Sequence, residues 1–192
     1  MNNGVKTLLI ILGVIAVIAA VSIMWGVGQY NQVVSMDEQI KSQWAQVDNQ
    51  LKRRYDLIPN LVETVQGYAK HERGVFTDIA NARTKYFQAA TVKDKIAASN
   101  QLEGTLSRLL MLQETFPQLK ANESFLKLQD SLEGTENRIA VERMRYNDYV
   151  KALNTYRRTV VGRIISSLAG VGEAQYYEIP QAEKAVPKVK FQ

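Results

Sequence analysis

The stretch LKRRYDLIPNLVETVQGYAKHE, from Leu51 to Glu72, decides the fold. Its apolar and small residues continue a series that begins upstream: Val33, Met36, Ile40, Trp44, Val47, Leu51, Tyr55, Ile58, Val62, Val65 and Ala69 follow one another at gaps of three or four. That is the period of one helical face. It persists for about ten turns and predicts a long helix over residues 30–72. Pro59 falls inside it. A proline has no N–H for the carbonyl four residues back, here that of Tyr55, so the helix should kink or tighten there. One reading of such a kink is a fit around neighbouring helices; the other is a hinge or groove for a partner.

Working outward toward the N-terminus, residues 7–28 read TLLIILGVIAVIAAVSIMWGVG, with no charge and almost wholly apolar. About 20 helical residues cross a hydrocarbon core of roughly 30 Å, so this segment predicts a transmembrane helix. The nearest candidate cleavage site, Ala20-Val21-Ser22, is followed by Ile23, Met24 and Trp25, which favours an uncleaved anchor over a signal peptide. Trp25 and Tyr30 suit the water interface. Ala16 and Ala20 form a small-xxx-small pair of the kind found where membrane helices associate, although an Ala-rich span produces such pairs readily. Lys6 and the terminal amine flank one side, and Lys41 alone lies close on the other. This leans toward an N-terminus inside and a helical domain outside.

Toward the C-terminus, Gly74 marks a break, and Val75, Phe76, Ile79 and Tyr86 resume a helical spacing to about Ala90. Thr91 precedes a third helical pattern, Val92, Ile96, Leu102, Leu106, Leu109 and Leu110, to about Glu114. Phe116-Pro117 ends it and Asn122 is placed to cap the next helix. A second very long pattern then runs through Phe125, Leu128, Leu132, Thr135, Ile139, Glu142, Tyr146, Tyr149, Leu153, Tyr156, Val160 and Ile164. Its alternating gaps of three and four predict a helix over residues 122–168 that packs at a shallow angle, as coiled coils do. Beyond Gly170, the Gly, Pro and Glu content reads as a loosely packed tail. The expected architecture is all-α: an N-terminal transmembrane anchor (1–29), an antiparallel bundle of long helices (30–170) and a C-terminal tail (171–192).

Composition narrows the chemistry. The 192 residues leave room for one domain beside the anchor. There is no cysteine, which excludes disulfides, thiolate metal sites and cysteine nucleophiles. The net charge of +5 is spread along the chain without a run of like charges. His71, the one histidine, has no second histidine four residues on, so a zinc-protease helix is excluded. Glu63, Glu72, Glu103 and Glu142 lack the Glu-x-x-His spacing of carboxylate-bridged metals. The glycines form neither a phosphate loop nor a dinucleotide fingerprint. No catalytic residue, cofactor or metal is expected. The clusters Lys52-Arg53-Arg54, Arg143-Met144-Arg145 and Arg157-Arg158 raise the question of phosphate binding. Asp48 and Asp56 stand beside the first and Glu142 and Asp148 beside the second, so an ion-paired face is favoured and no nucleic acid is expected.

Four segments carry a family resemblance. WAQVDNQLKRRYDLIPNLVETVQGYAKHE (Trp44 to Glu72), FPQLKANESF (Phe116 to Phe125) and GTENRIAVERMRYNDYVKALNTY (Gly134 to Tyr156) resemble the LemA family, and PKVKF (Pro187 to Phe191) resembles its end. The resemblance implies a membrane anchor on an elongated helical domain, association with bacterial membranes and, in some relatives, with organelle or envelope organisation; it implies no reaction. It marks Arg53, Arg54, Tyr55, Asp56, Pro59, Asn60, Glu142, Arg145, Tyr146, Asn147 and Asp148 as motif residues. The family pattern carries a Phe-Pro step where this chain reads RRTVVGRIISS, so the last long helix is expected to run on.

Two function classes follow. One is a non-enzymatic, membrane-anchored scaffold or adaptor whose partners are the bilayer, further copies of itself or other membrane proteins. The alternative is an enzyme or nucleic-acid binder whose site the sequence does not display. A long stripe needs cover, from other copies or from the shorter helices of the same chain. If the two long helices align end to end in antiparallel fashion, paired positions have numbers adding to about 198. Arg54 then lies within a turn of Glu142. This predicts a partly buried Arg54–Glu142 pair, surrounded by Arg53, Asp56, Arg145 and Asp148, against the alternative that both charges reach out to solvent.

Overall fold

The structure, a computed structural model, describes residues 3–178; the PKVKF segment and the rest of the tail after Glu178 lie outside the described residues. Six α-helices follow in order: α1 (Asn3–Tyr55), α2 (Ile58–Gln66), α3 (Arg73–Gln88), α4 (Val92–Thr115), α5 (Glu123–Arg158) and α6 (Val160–Leu168), with a 3-10 turn at Pro117–Ala121 between α4 and α5. The fold is all-α, as the periodicity predicts. The chain divides into two units: Met1–Ser42 with Asp148–Ala174, and Gln43–Asn147 with Gln175–Gln192.

In the first unit α1 begins as an apolar helix without cover. Every large apolar side chain from Leu8 to Val27 is more than half exposed, and an 18-residue window of this helix has a mean hydropathy of 2.9, enough to cross a membrane. Val33 and Ile40 are then buried, with Val150 and Leu153 of α5. The Tyr156 hydroxyl donates to Gln29 Oε1 at 2.9 Å.

The second unit holds the larger core. Val47, Leu51 and Tyr55 of α1 and Ile58, Leu61 and Val65 of α2 are buried, together with Phe76, Ile79 and Tyr86 of α3, Leu102, Leu106 and Leu109 of α4, and Phe125, Leu132, Ile139 and Tyr146 of α5. Tyr55 and Tyr86 meet edge to face with ring centroids 4.7 Å apart, and Trp44 and Tyr146 do so at 5.5 Å. Thr91 caps α4 by accepting from Asp94 N, and Asn122 caps α5 by accepting from Phe125 N at 2.9 Å.

Four boundaries differ from expectation. The helix expected over 30–72 ends at Tyr55, and Pro59 is the second residue of α2 rather than a kink within one helix. At a helix start the missing N–H costs nothing, because that donor has no partner in any case. The Tyr55 carbonyl that Pro59 leaves free accepts from Arg83 Nε at 3.2 Å. The break assigned to Gly74 falls earlier, in the turn before α3, where Ala69 is buried and holds the turn to the core. The helix expected over 122–168 stops at Arg158 without a proline. Thr159 adopts an extended conformation (φ −73°, ψ 158°) and its hydroxyl accepts from Gly162 N, starting α6. Gly162 is required there, because a Cβ would lie in van der Waals overlap with the Tyr156 carbonyl oxygen. As a result Val160 and Ile164, expected on the seam, are exposed, and Val150 takes the buried place expected of Tyr149.

Candidate functional site

The most concentrated chemistry in the described residues is a buried ion network in the second unit. Arg54 sits in the last turn of α1, where Leu51 and Tyr55 turn inward and carry it with them. Its Nη2 lies 2.8 Å from Glu103 Oε2 on α4, and its Nη1 lies 2.7 Å from Glu136 Oε2 on α5. Nη1 also donates to the Leu132 carbonyl at 3.1 Å. Arg143 joins from α5, with Nη1 3.7 Å from Glu136 Oε1 and its guanidinium 4.5 Å above the Tyr177 ring. The Tyr55 hydroxyl donates to Glu103 Oε1 at 3.4 Å. One guanidinium thus fastens three helices. Burial pushes the Glu103 carboxyl up, and the charge of Glu136 adds to this, against the pull of Arg54 and Arg143 in the other direction. Burial also pushes the Tyr55 and Tyr177 hydroxyls up, so both act as neutral hydrogen-bonding groups.

A second buried carboxylate lies two turns back along α1. Asp48 Oδ1 accepts from the Tyr86 hydroxyl at 2.6 Å and from Lys95 Nζ at 2.8 Å, while Lys52 Nζ lies 3.0 Å from Oδ2. Burial is the largest single influence on Asp48 and pushes it up. The hydrogen bonds from Lys95, Tyr86 and Lys52 together outweigh it and hold the carboxyl below its usual range.

The segment after Gly170 supplies the third component. Within the second unit, the Asn147 side chain grips the backbone of Tyr177 at both ends, donating to its carbonyl at 3.0 Å and accepting from its N–H at 2.8 Å. The Tyr146 hydroxyl donates to the Gln175 carbonyl at 2.8 Å. The Tyr177 side chain is buried, its hydroxyl hydrogen-bonded to Ser99 Oγ. Within the first unit, Asn154 holds Ala174 in the same two-ended manner. Residues 171–178 are therefore a docked strap, not the loosely packed chain expected from their composition. They need no helix, because asparagine side chains satisfy their backbone groups.

A profile of the LemA family matches residues 43–191, the part of the chain that contains the ion network, both asparagine grips and the strap. The chain belongs to the LemA family. Two relatives, magnetosome protein MamQ 2 and magnetosome protein MamQ 1 of Paramagnetospirillum magneticum, are each 21% identical over 93% of this chain and 74% of their own length. Magnetosome protein MamQ of Magnetospirillum gryphiswaldense is 19% identical over 92% of this chain and 74% of its length.

The LemA motif residues do not gather at one point. Arg54, Tyr55, Tyr146 and Asn147 are the ones built into the network and the strap. Arg53 and Asn60 are exposed, and Pro59 starts α2. Asp56 lies 3.5 Å from Arg83 on α3, not beside the basic residues next to it in sequence. Asp148 is exposed. Glu142 accepts from Gln43 Nε2 at 2.6 Å and pairs with Arg145 at 3.0 Å, so the expected Arg54–Glu142 pair does not form. Its failure is one of register: Gln43 with Glu142 and Arg54 with Leu132 have numbers adding to about 185, well short of 198. The helices do not align end to end, because α1 stops at Tyr55 and α5 at Arg158. Glu103, Glu136, Arg143, Ser99 and Tyr177 were missed as partners of Arg54 or of one another. Arg143 carried a signal, since it stands four residues after Ile139 and three before Tyr146, a seam position as good as that of Glu142.

Proposed function

We propose that this LemA-family protein is a non-enzymatic, single-pass scaffold or adaptor of the bacterial inner membrane. One observation carries the reading: α1 is a single helix whose apolar first part is exposed on all sides, while its second part is built into a packed helical core. Such a helix joins a bilayer to a folded domain without a linker. The network around Arg54 supports the scaffold half of the reading. Arg54 joins Glu103 and Glu136 and so ties α1, α4 and α5 together in register, a role for which buried ion groups are suited.

In this reading the N-terminus is inside, the helical domain is extracytoplasmic, and the domain presents its long helices to further copies or to other membrane proteins. The three relatives of similar sequence, each named a magnetosome protein, fit a role in organising a membrane-associated structure. Alkaline carbonate washing of membranes should leave the full chain in the pellet. Protease added to spheroplasts should remove the helical domain, and crosslinking in intact membranes should yield discrete higher-mass species. Release by carbonate overturns the anchor; protection from protease overturns the orientation; a crosslinking pattern of the single chain alone overturns the scaffold.

A further inference from the structure

The short helix α6 is built the wrong way round for a helix of a water-soluble domain. Its small residues Gly162 and Ser166 are buried, while Val160, Ile164 and Leu168 are 81%, 58% and 72% exposed. These three aliphatic side chains recur every four residues and so lie along one face. A helix packing on a core turns its large apolar residues inward and its small or polar ones outward. Here a continuous aliphatic ridge faces away from the protein.

The surroundings of α6 identify what covers that ridge. Arg157, Arg158 and Arg163 line a cleft of about 410 Å³ with Asn154 and Glu173, giving three cations to one acid. Arg157 Nε is buried without a partner, while Arg158 and Arg163 are exposed. Tyr156, in the last turn of α5 and four residues before α6 begins, bonds through its hydroxyl to Gln29. Gln29 is the residue at which the uncharged apolar run of α1 gives way to polar sequence. If α1 spans a bilayer, that level is the headgroup region, and aliphatic residues flanked by arginine at such a level match an interfacial amphipathic helix.

We infer that α6 lies in the membrane interface, with Val160, Ile164 and Leu168 in the upper acyl region and Arg158 and Arg163 on the phosphates of anionic lipids. This rests on the anchor reading of α1. It adds a second attachment to the unit that carries the anchor, beside α1 itself.

The absence of cysteine makes the test direct. Single-cysteine variants Ile164→Cys, Ile15→Cys and Ser131→Cys of the full chain, each labelled with an environment-sensitive fluorophore, are reconstituted in vesicles containing phosphatidylglycerol and brominated phosphatidylcholine. The Ile15 and Ile164 probes should be quenched roughly twofold or more, and the Ser131 probe should remain unquenched. An unquenched Ile15 probe sinks the anchor itself. A quenched Ile15 probe beside an unquenched Ile164 probe overturns the inference about α6 alone. A blue-shifted Ile164 probe out of reach of lipid bromine reports a protein cover and overturns it equally. In the Arg158→Gln/Arg163→Gln background, quenching at residue 164 should fall to the level seen in purely zwitterionic vesicles; unchanged quenching overturns the assignment of those arginines to lipid phosphate.

Discussion

Asp48 and Glu103 are two carboxylates of one unit with almost the same side-chain exposure, 12% and 13%, and each ties α1 to α4. Their protonation is nevertheless displaced in opposite directions, down for Asp48 and up for Glu103. Burial raises both. Asp48 answers it with two ammonium groups and a tyrosine hydroxyl, all within 3.0 Å. Glu103 has one close guanidinium, a tyrosine at 3.4 Å, and a second carboxylate competing for the same arginine. The donors aimed at Asp48 outweigh the cost of its burial, and those aimed at Glu103 do not.

The consequences for stability have opposite signs. A carboxyl held low in the folded chain stabilises it above its unfolded value, near 3.8 for Asp48, and this contribution is lost as pH falls through the folded value. A carboxyl held high, as Glu103 is relative to 4.5, contributes stability at low pH that is lost as pH rises through its folded value. Acid weakens the first site and rising pH weakens the second.

The comparison is broken most severely at Arg54. Arg54→Met leaves Glu103 buried without its main partner and should cost about 3–5 kcal/mol in chemical denaturation of the detergent-solubilised chain. Arg54→Met/Glu103→Leu should recover a good part of that loss. Glu136, 43% exposed, regains water when its partner leaves and adds little. Strictly additive losses in the double variant would show that the two residues are not coupled.

Next in size is the direct contrast. Asp48→Asn should cost about 2 kcal/mol at pH 7, since it weakens three charge-assisted bonds, while Glu103→Gln should cost about 1 kcal/mol or less, because neutralising that group relieves part of its desolvation. Across pH 3–8 the Asp48→Asn variant should lose less stability on acidification than the parent, and Glu103→Gln should lose less as pH rises. The reverse order of costs would mean that the donors around Asp48 do not offset its burial. The smallest effect is expected at Arg83→Ala, about 1 kcal/mol from the loss of the Nε bond to the Tyr55 carbonyl.

These sites mark where the sequence was readable. The stripe through Leu51, Tyr55 and Ile58 and the cap at Asn122 followed from local spacing and local hydrogen bonding, and both stand in the structure. Arg54 was legible as a charge on the edge of that stripe. Its partners were not, because a match between two helices depends on where each one stops. The stop at Arg158 comes from a threonine cap and a crowded glycine, features weaker in sequence than the proline they replace. Glu142 and Arg143 both fit the spacing between Ile139 and Tyr146, and a one-residue ambiguity on a helix is a rotation of about 100°. Tyr177 was illegible for a different reason: its environment is made by Asn147, Ser99 and Arg143, none of which is near it in sequence.

That strap also sets an order of events during synthesis. Tyr177 meets Ser99 across 78 residues of chain, so the ribosome finishes α4 and the whole of α5 before the residue that covers Ser99 and Arg143 exists. The apolar part of α1 is made first. If that part enters a bilayer, as proposed, the nascent chain is committed to the membrane while the seam around Ser99 and Arg143 is still open, and closing that seam is a late step of its biogenesis. Chains that terminate shortly before Tyr177 would carry all six helices of the described residues and still present that seam to the cell's proteases.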